Sequence, residues 1–203
     1  MSEEYKTETK RTYDLYAESF DQEFDEHFKA HVQNEADIFI KELSGKKILD
    51  LGCGAGTHAL YFKKQGFDVL CADISEKMLT LCRKKGLDTQ IVDIENITLP
   101  KESFDGVWAY TSLLHIPKKS IEKVITEIAS LLKPHGIFGL AVKEGTQEQF
   151  ETNKKYPNTK RWFTYFTEDE IRKLLAPHFD ILYCQKTNVK DKYVFLNYVA
   201  RKK

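Results

Sequence analysis

Short apolar runs alternate with amphipathic stretches along this chain from about residue 47 onward. The apolar runs predict buried strands, which we place at 47–51, 67–72, 90–92, 104–110 and 137–142. Between them, apolar residues three or four positions apart predict helices, most clearly over 121–132. Strands that alternate with helices in this way predict an α/β protein with a parallel sheet covered on both faces.

Both ends of the chain depart from this alternation. The first 45 residues read as helical, with aromatic residues at helical spacing that either pack on the core or form a lid over a ligand. Near the other end, strands at 179–185 and 193–200 are separated by too few residues for a crossover helix, which predicts an antiparallel hairpin. The segment 144–160 is polar and lacks periodicity, so we expect a long loop there.

Residues 48–60, ILDLGCGAGTHAL, place three glycines directly after the first predicted strand. Gly52, Gly54 and Gly56 stand at alternate positions, although the whole chain has only 10 glycines. A glycine-rich turn at the carboxyl end of a parallel strand lets a ligand approach the main chain closely. The pattern therefore predicts a ligand site at this edge of the sheet.

Two kinds of cofactor fit such a turn. A dinucleotide would rest its pyrophosphate on the following helix, and a relaxed fingerprint can be laid on Gly54, Gly56 and Ala59. S-adenosylmethionine has no phosphate, and Asp50, at the end of the strand, suits its ammonium group better than it suits a pyrophosphate. The second-strand acid, Asp73, can accept from the ribose hydroxyls of either cofactor.

Five segments in order, at ordinary spacings, resemble the class I S-adenosylmethionine-dependent methyltransferases, in particular the small bacterial and archaeal methyltransferase-domain enzymes. The segments are ILDLGCGAG, VLCADISEKML, IVDIENITLP, FDGVWAYTSLLHIP and LLKPHGIFGLAVKEG. The resemblance implies a Rossmann-like three-layer sandwich. Its sheet would have seven strands in the order 3-2-1-4-5-7-6, mostly parallel, with the last strand antiparallel. Residues 1–45 would be a helical segment or lid and 46–203 the methyltransferase domain, within a single domain overall.

The resemblance also implies which residues hold S-adenosylmethionine, whose product is S-adenosylhomocysteine. The methionine end would contact Asp50 and the main chain of Gly52, Cys53, Gly54 and Gly56, with Tyr13 as a cover. Asp73 would hold the ribose, and Ala109 would lie beside the sulfonium. The adenine would meet Ile74, Met78, Asp93 and Ile94, although Asp93 can also be read as a residue that caps a turn.

The methyl acceptor is predicted to be a small molecule. Lys and Arg total 31, as do Asp and Glu, so the formal net charge is zero. We therefore expect no nonspecific electrostatic binding of nucleic acid by the chain as a whole. The fourth strand also lacks the Asn-Pro-Pro-Tyr-like turn of amine methyltransferases that act on bases or glutamine, and no Pro-Cys nucleophile is present. A tRNA base or a protein side chain remains the alternative acceptor.

Candidate catalytic residues are His115, as a general base or a structural residue, and Tyr110, as an acceptor contact or a wall residue. Four further residues are candidate substrate contacts: Tyr16, Glu144, Arg161 and Trp162. A nicotinamide-dependent oxidoreductase is the less favoured alternative, since neither a catalytic Tyr-x-x-x-Lys in a helix nor a separate substrate domain is recognisable.

The remaining features indicate cellular context. The four cysteines have neither a CxxC motif nor a histidine partner at zinc spacing, so we expect buried thiols, no metal and a reducing cytoplasm. No segment resembles a secretory signal or a membrane span, and we expect no membrane partner. The chain is expected to be a monomer or a homodimer.

Overall fold

The computed structural model describes residues 3–189 and 193–203, and the described chain contains nine strands. They are β1 (Lys47–Leu51), β2 (Asp68–Asp73), β3 (Asp88–Ile91), β4 (Phe104–Tyr110), β5 (Leu132–Glu144), β6 (Glu148–Glu151), β7 (Arg161–Phe166), β8 (Phe179–Val189) and β9 (Tyr193–Lys202).

Seven helices are described with them. They are α1 (Glu4–Leu15), α2 (Ala17–His31), α3 (Gln33–Glu42), α4 (Thr57–Lys64), α5 (Glu76–Lys84), α6 (Lys118–Leu131) and α7 (Glu168–Leu175), with a short 3₁₀ turn at Leu113–His115. Ser75 caps α5 by accepting a hydrogen bond from the Met78 amide at 3.1 Å. Thr167 and Glu170 form a capping box at the start of α7, where each side chain bonds the backbone of the other residue.

The seven main strands lie in the order β3-β2-β1-β4-β5-β9-β8. Neighbouring strands from β3 to β5 run parallel, and β9 runs antiparallel to both β5 and β8. With β8 and β9 counted as the sixth and seventh strands, this is the predicted α/β topology, and the predicted C-terminal hairpin is confirmed. Residues 190–192, between β8 and β9, lie outside the described chain.

The predicted long loop over 144–160 is wrong in part, because the structure has a further hairpin there. Strand β6 pairs antiparallel with β7, and the last two residues of β5 pair in parallel with the end of β7, at Tyr165 and Phe166. Four consecutive residues at the end of β7 are buried, so the strand shows no alternation of apolar and polar residues. Its partner β6, with sequence EQFE, is too short and too polar to show an apolar run.

The core has two layers, one on each face of the sheet. Helices α6 and α7 cover one face, and α3, α4 and α5 cover the other. The second layer centres on the fully buried Trp108, whose ring lies 4.9 Å from Phe39 and 5.4 Å from Phe62 between centroids. Gly139 on β5 makes room for this indole, since a Cβ there would lie 2.2 Å from Trp108 Cε3.

Within the described residues, none of the helices combines the length and the apolar character that a membrane span requires.

Candidate functional site

A cavity of about 680 Å³ opens at the carboxyl ends of β1, β2 and β4. Its wall begins at the glycine turn, where Gly52 has φ +75°. A Cβ on Gly52 would lie 2.3 Å from Ser112 Cβ, and Ser112 is itself held by a 2.7 Å hydrogen bond from its Oγ to the Leu51 carbonyl. Glycine is therefore needed here for both backbone conformation and space.

The turn is tied to the neighbouring strand through Asp73. The Gly54 amide donates to Asp73 Oδ2 at 2.9 Å, and the Ser75 amide donates to Oδ1 at 2.8 Å. Burial raises the pKa of Asp73 to about 6, against the opposing effect of these amide hydrogen bonds. Asp73 lines the cavity, and its two carboxylate oxygens have more lone pairs than these amides use, so acceptor capacity remains for a pair of ribose hydroxyls.

Asp93 also lines the cavity, where it is joined by the N-terminal helix. Lys6 of α1 contacts both acids of this segment, at 2.7 Å from Asp93 Oδ2 and 3.1 Å from Glu95 Oε2. The Tyr5 hydroxyl donates to Glu95, and Tyr5 and Lys6 are themselves part of the cavity wall. The N-terminal helix thus closes the side of the cavity that Asp93 occupies.

Asp50 does not reach this cavity. Its side chain is 2% exposed, and it pairs in register with Cys71 on the adjacent strand. Burial raises the pKa of Asp50 well above its ordinary value, and its Oδ2 has no hydrogen-bond partner among the described residues. A direct contact with an ammonium group, as the sequence predicts, would require this carboxylate to become accessible.

Tyr13, His115 and Arg161 form one hydrogen-bonded group in the cavity wall. His115 Nδ1 donates to the Trp162 carbonyl at 2.5 Å, which leaves Nε2 to accept from the Tyr13 hydroxyl at 2.8 Å. Arg161 Nη1 in turn donates to the Tyr13 oxygen at 3.0 Å. Burial, together with the nearby Arg161 charge, lowers the pKa of His115 to about 3, so this imidazole is neutral and weakly basic.

Tyr110 lines the cavity, but its hydroxyl is engaged elsewhere. It donates to Asn197 Oδ1 at 2.7 Å, and its ring stacks on Trp108 with 4.5 Å between centroids. Burial raises the pKa of Tyr110 well above its ordinary value. The phenol is therefore protonated and fixed in place.

The far end of the cavity contains a buried cation, Lys143, that is not among the site residues predicted from the sequence. Lys143 is 4% exposed, and its Nζ lies 3.5 Å from the Phe163 ring centroid and 3.9 Å from that of Tyr193. The ammonium also bonds Glu151 Oε2 at 3.1 Å. Burial acts to raise the pKa of Glu151, but the hydrogen bond from Tyr165 and the charge of Lys143 lower this pKa below its ordinary value. A lysine inside an otherwise buried strand was the available signal.

The structure brings most of the predicted site residues together around this cavity. Those in its wall are Tyr13, Gly52, Cys53, Gly54, Asp73, Ile74, Met78, Asp93, Ile94, Tyr110, His115 and Arg161. Six lie outside the wall: Asp50, Gly56, Ala109, Tyr16, Glu144 and Trp162.

Packing explains four of these six exceptions. Ala109 is fully buried in its strand, and the Tyr16 hydroxyl donates to the Pro157 carbonyl at 3.1 Å. Glu144 pairs with Lys186 at 2.6 Å. The Trp162 indole donates to Thr164 Oγ1 at 3.0 Å and stays away from the cavity.

A parallel sheet, a glycine turn after β1 and an acid at the end of β2 define the class I fold of nucleoside-cofactor enzymes. Residues 48–136 match a family model described as a methyltransferase domain. This segment thus matches the methyltransferase-domain family, and the chain has the fold of S-adenosylmethionine-dependent methyltransferases.

Individual relatives agree with this assignment. The chain is 32% identical over 120 residues to methyltransferase GfsG of Streptomyces halstedii, a match that covers 54% of this chain and 42% of that protein. The chain thus spans less than half of that curated relative's length.

Two solved structures share the fold. A methyltransferase of Methanosarcina mazei has a TM-score of 0.73 at 20% identity, over 81% of this chain and 96% of the other. The 1,6-didemethyltoxoflavin-N1-methyltransferase of Burkholderia thailandensis has a TM-score of 0.66 at 24% identity, over 93% of this chain and 89% of the other.

Proposed function

We propose that this chain transfers the methyl group of S-adenosylmethionine to a small molecule with an aromatic ring or an anionic group. The observation that carries the proposal is that a single cavity joins the glycine turn and Asp73 to a wall that contains aromatic rings, the buried Lys143 and the half-buried Arg161. Its volume of about 680 Å³ lies in the range of about 300–1,000 Å³ that is typical of ligand sites, which leaves room for a cofactor and a small acceptor.

The residues present fit an adenosyl cofactor. A Cβ on Gly52 would fill part of the cradle, Asp73 offers acceptors to the ribose hydroxyls, and Asp93 offers one to the adenine amino group. Ile74 and Met78 supply apolar wall next to these acids. We assign to Asp50 a supporting role behind the turn, because its carboxylate is buried away from the cavity.

The acceptor end combines rings with two cations. The Arg161 guanidinium carbon lies 5.0 Å from the Phe20 ring centroid and 5.1 Å from that of Phe163, and Lys143 lies over Phe163 and Tyr193. Such a surface favours a flat ring with an anionic substituent. The Burkholderia relative was crystallised with bound 1,6-didemethyltoxoflavin and S-adenosylhomocysteine. That finding supports a small-molecule acceptor here.

S-adenosylmethionine, when bound, supplies an electrophilic methyl carbon for in-line displacement. The contribution of the chain is to align the acceptor with that carbon and to exclude water, and alignment can lower a barrier by about 7–11 kcal/mol. We assign His115 to positioning rather than to proton abstraction, since its basic nitrogen accepts from Tyr13 and its pKa is about 3. Tyr110 is assigned to the wall.

The test begins with calorimetric binding of S-adenosylhomocysteine and of NADH to the wild type and to Asp73→Ala. We expect S-adenosylhomocysteine alone to bind, and Asp73→Ala to weaken it by more than about tenfold, as loss of charge-assisted bonds requires. Binding of NADH alone would refute the cofactor assignment and support an oxidoreductase.

The acceptor is tested by transfer of labelled methyl groups into separated metabolite, tRNA and protein fractions of a cell extract. We expect label in the metabolite fraction. Label confined to tRNA or protein would refute the small-molecule assignment while leaving methyl transfer intact.

The role of His115 is tested with His115→Asn. Loss of a general base costs about 10²–10⁴ in rate. A positioning role predicts a smaller loss and an unchanged pH profile of kcat/KM between pH 6 and 9. A profile that loses its acid limb in the variant would make His115 the base.

A further inference from the structure

Three of the four cysteines converge beneath the glycine turn from three separate elements. Cys53 belongs to the turn, Cys71 to β2 and Cys82 to α5, and all three are buried. Their sulfur atoms all lie within 4.8 Å of one another, and Cys53 Sγ and Cys82 Sγ are 3.9 Å apart. Nothing in methyl transfer requires three thiols at this place.

The spacing of the sulfur atoms suits a metal ion. A metal–sulfur bond is about 2.3 Å long, so tetrahedral or trigonal coordination separates two sulfur ligands by about 3.8–4.0 Å. The observed 3.9 Å needs little adjustment. Clustered thiolates select soft or borderline ions such as zinc and cadmium over hard ones.

A buried carboxylate beside the cluster points the same way. Asp50 is the register partner of Cys71, it is 2% exposed, and its Oδ2 has no hydrogen-bond partner in the described chain. An oxygen left in this condition is costly unless a cation or a donor satisfies it. A cation held by the three sulfur atoms would lie on the same face of the sheet.

We propose that Cys53, Cys71 and Cys82 form a binding site for a thiophilic divalent cation of the zinc class. Binding exchanges three S–H protons, released to solvent, for three metal–sulfur bonds, with no change of oxidation state. The ion reaches the site through the cavity, because Cys53 lines the cavity wall.

Occupancy would alter the glycine turn. Cys82 Sγ now donates a weak hydrogen bond to the Gly54 carbonyl at 3.2 Å. A metal-bound thiolate cannot donate, so that carbonyl loses its partner and faces a sulfur atom of like polarity. The turn must shift, and the affinity for S-adenosylhomocysteine falls; this second half of the proposal rests on the proposed function.

The test is a titration of the reduced protein with Cd²⁺, followed by the ultraviolet absorption of cadmium–thiolate charge transfer and by the protons released into a weakly buffered solution. We expect one ion per chain and the release of three protons for each ion bound. Cys71→Ser and Cys82→Ser should each weaken binding by more than about tenfold. Cys184→Ser, which removes the half-buried fourth cysteine on β8, is the matched control and should bind as the wild type does.

Absence of the charge-transfer band would overturn the site, as would binding that survives in both cluster variants or disappears in Cys184→Ser. Thermal melting of each variant separates lost binding from lost folding.

For the coupling, S-adenosylhomocysteine affinity is measured with and without Cd²⁺. We expect at least a threefold loss in the wild type and none in Cys82→Ser. An unchanged affinity would refute the coupling. A metal-free protein that binds no S-adenosylhomocysteine would refute the proposed function and leave the metal titration interpretable.

Discussion

Gly52→Ala is expected to lower the free energy of unfolding by more than the backbone cost that alanine has at a positive φ. A left-handed backbone costs a residue with a Cβ about 1–2 kcal/mol. The new Cβ would also lie 2.3 Å from Ser112 Cβ, so Ser112 must move. Overpacking of this kind costs about 1–3 kcal/mol, and the buried bond from Ser112 Oγ to Leu51 contributes about 1 kcal/mol more. The expected total is about 3–6 kcal/mol.

Urea unfolding measures this loss as a lower midpoint at an unchanged slope. Gly66→Ala is the matched control, because Gly66 has φ +89° and a Cβ there would meet nothing within 4 Å. The control should lose only the backbone cost of about 1–2 kcal/mol. If Gly52→Ala is no worse than Gly66→Ala, the reasoning about contact with Ser112 is refuted.

A double-mutant cycle separates the two contributions further. In Gly52→Ala/Ser112→Gly, the two Cβ atoms no longer meet, so the combined loss should be smaller than the sum of the single losses by at least about 1 kcal/mol. Additive losses would show that the turn relaxes without involving Ser112.

Three further outcomes are expected. Because the pKa of Asp73 is about 6 and its charged form accepts the ribose bonds, S-adenosylhomocysteine affinity measured by calorimetry should fall about tenfold from pH 7 to pH 5, whereas Asp73→Asn should bind weakly with no such slope. Burial lowers the pKa of His58 to about 3 while an unfolded chain takes up the proton near pH 6.5, so stability is lost as the pH falls below 6.5. His58→Asn, which keeps an acceptor for the Trp108 indole, should reduce that loss by about 1 kcal/mol per pH unit in urea unfolding between pH 6.5 and 5, and equal slopes would contradict this. Thr167→Ala removes the capping box with Glu170 and should lower the free energy of unfolding by about 1 kcal/mol at constant m, with no effect on S-adenosylhomocysteine binding.

Features set by local pattern could be predicted from the sequence. Strands β1 and β4 have the predicted bounds, 47–51 and 104–110, because an apolar run is encoded within a few residues. Asp73 and Asp93 were found for a related reason. Once strands are known to be parallel, their carboxyl ends must meet at one edge of the sheet.

Features that depend on tertiary packing could not be predicted from the sequence. Asp50 follows the same local rule as Asp73, yet its side chain is buried beside Cys71, because its register partner lies two residues before Asp73 and Asp50 therefore lies deeper on the same face of the sheet. Lys143 became part of the cavity only because β7 and β9 place aromatic rings around it. The N-terminal helix was predicted, but the contacts of Lys6 with Asp93 join residues 87 positions apart, and no local pattern encodes them.

The cavity wall is formed by two parts of the chain, the segment that matches the family model and the segments on either side of it. The segment that matches the family, 48–136, contributes the glycine turn and both strand-end acids. The flanking segments contribute the opposite wall, including Tyr13 from the front of the chain and Arg161, Lys143 and Phe195 from the rear. Under the proposed function, substitutions in those flanks can therefore change which compound is methylated while the cofactor-binding part of the cavity stays intact. A chimera can therefore be made by replacing both flanks with those of a relative whose acceptor preference is known. We expect such a chimera to have the acceptor preference of that relative.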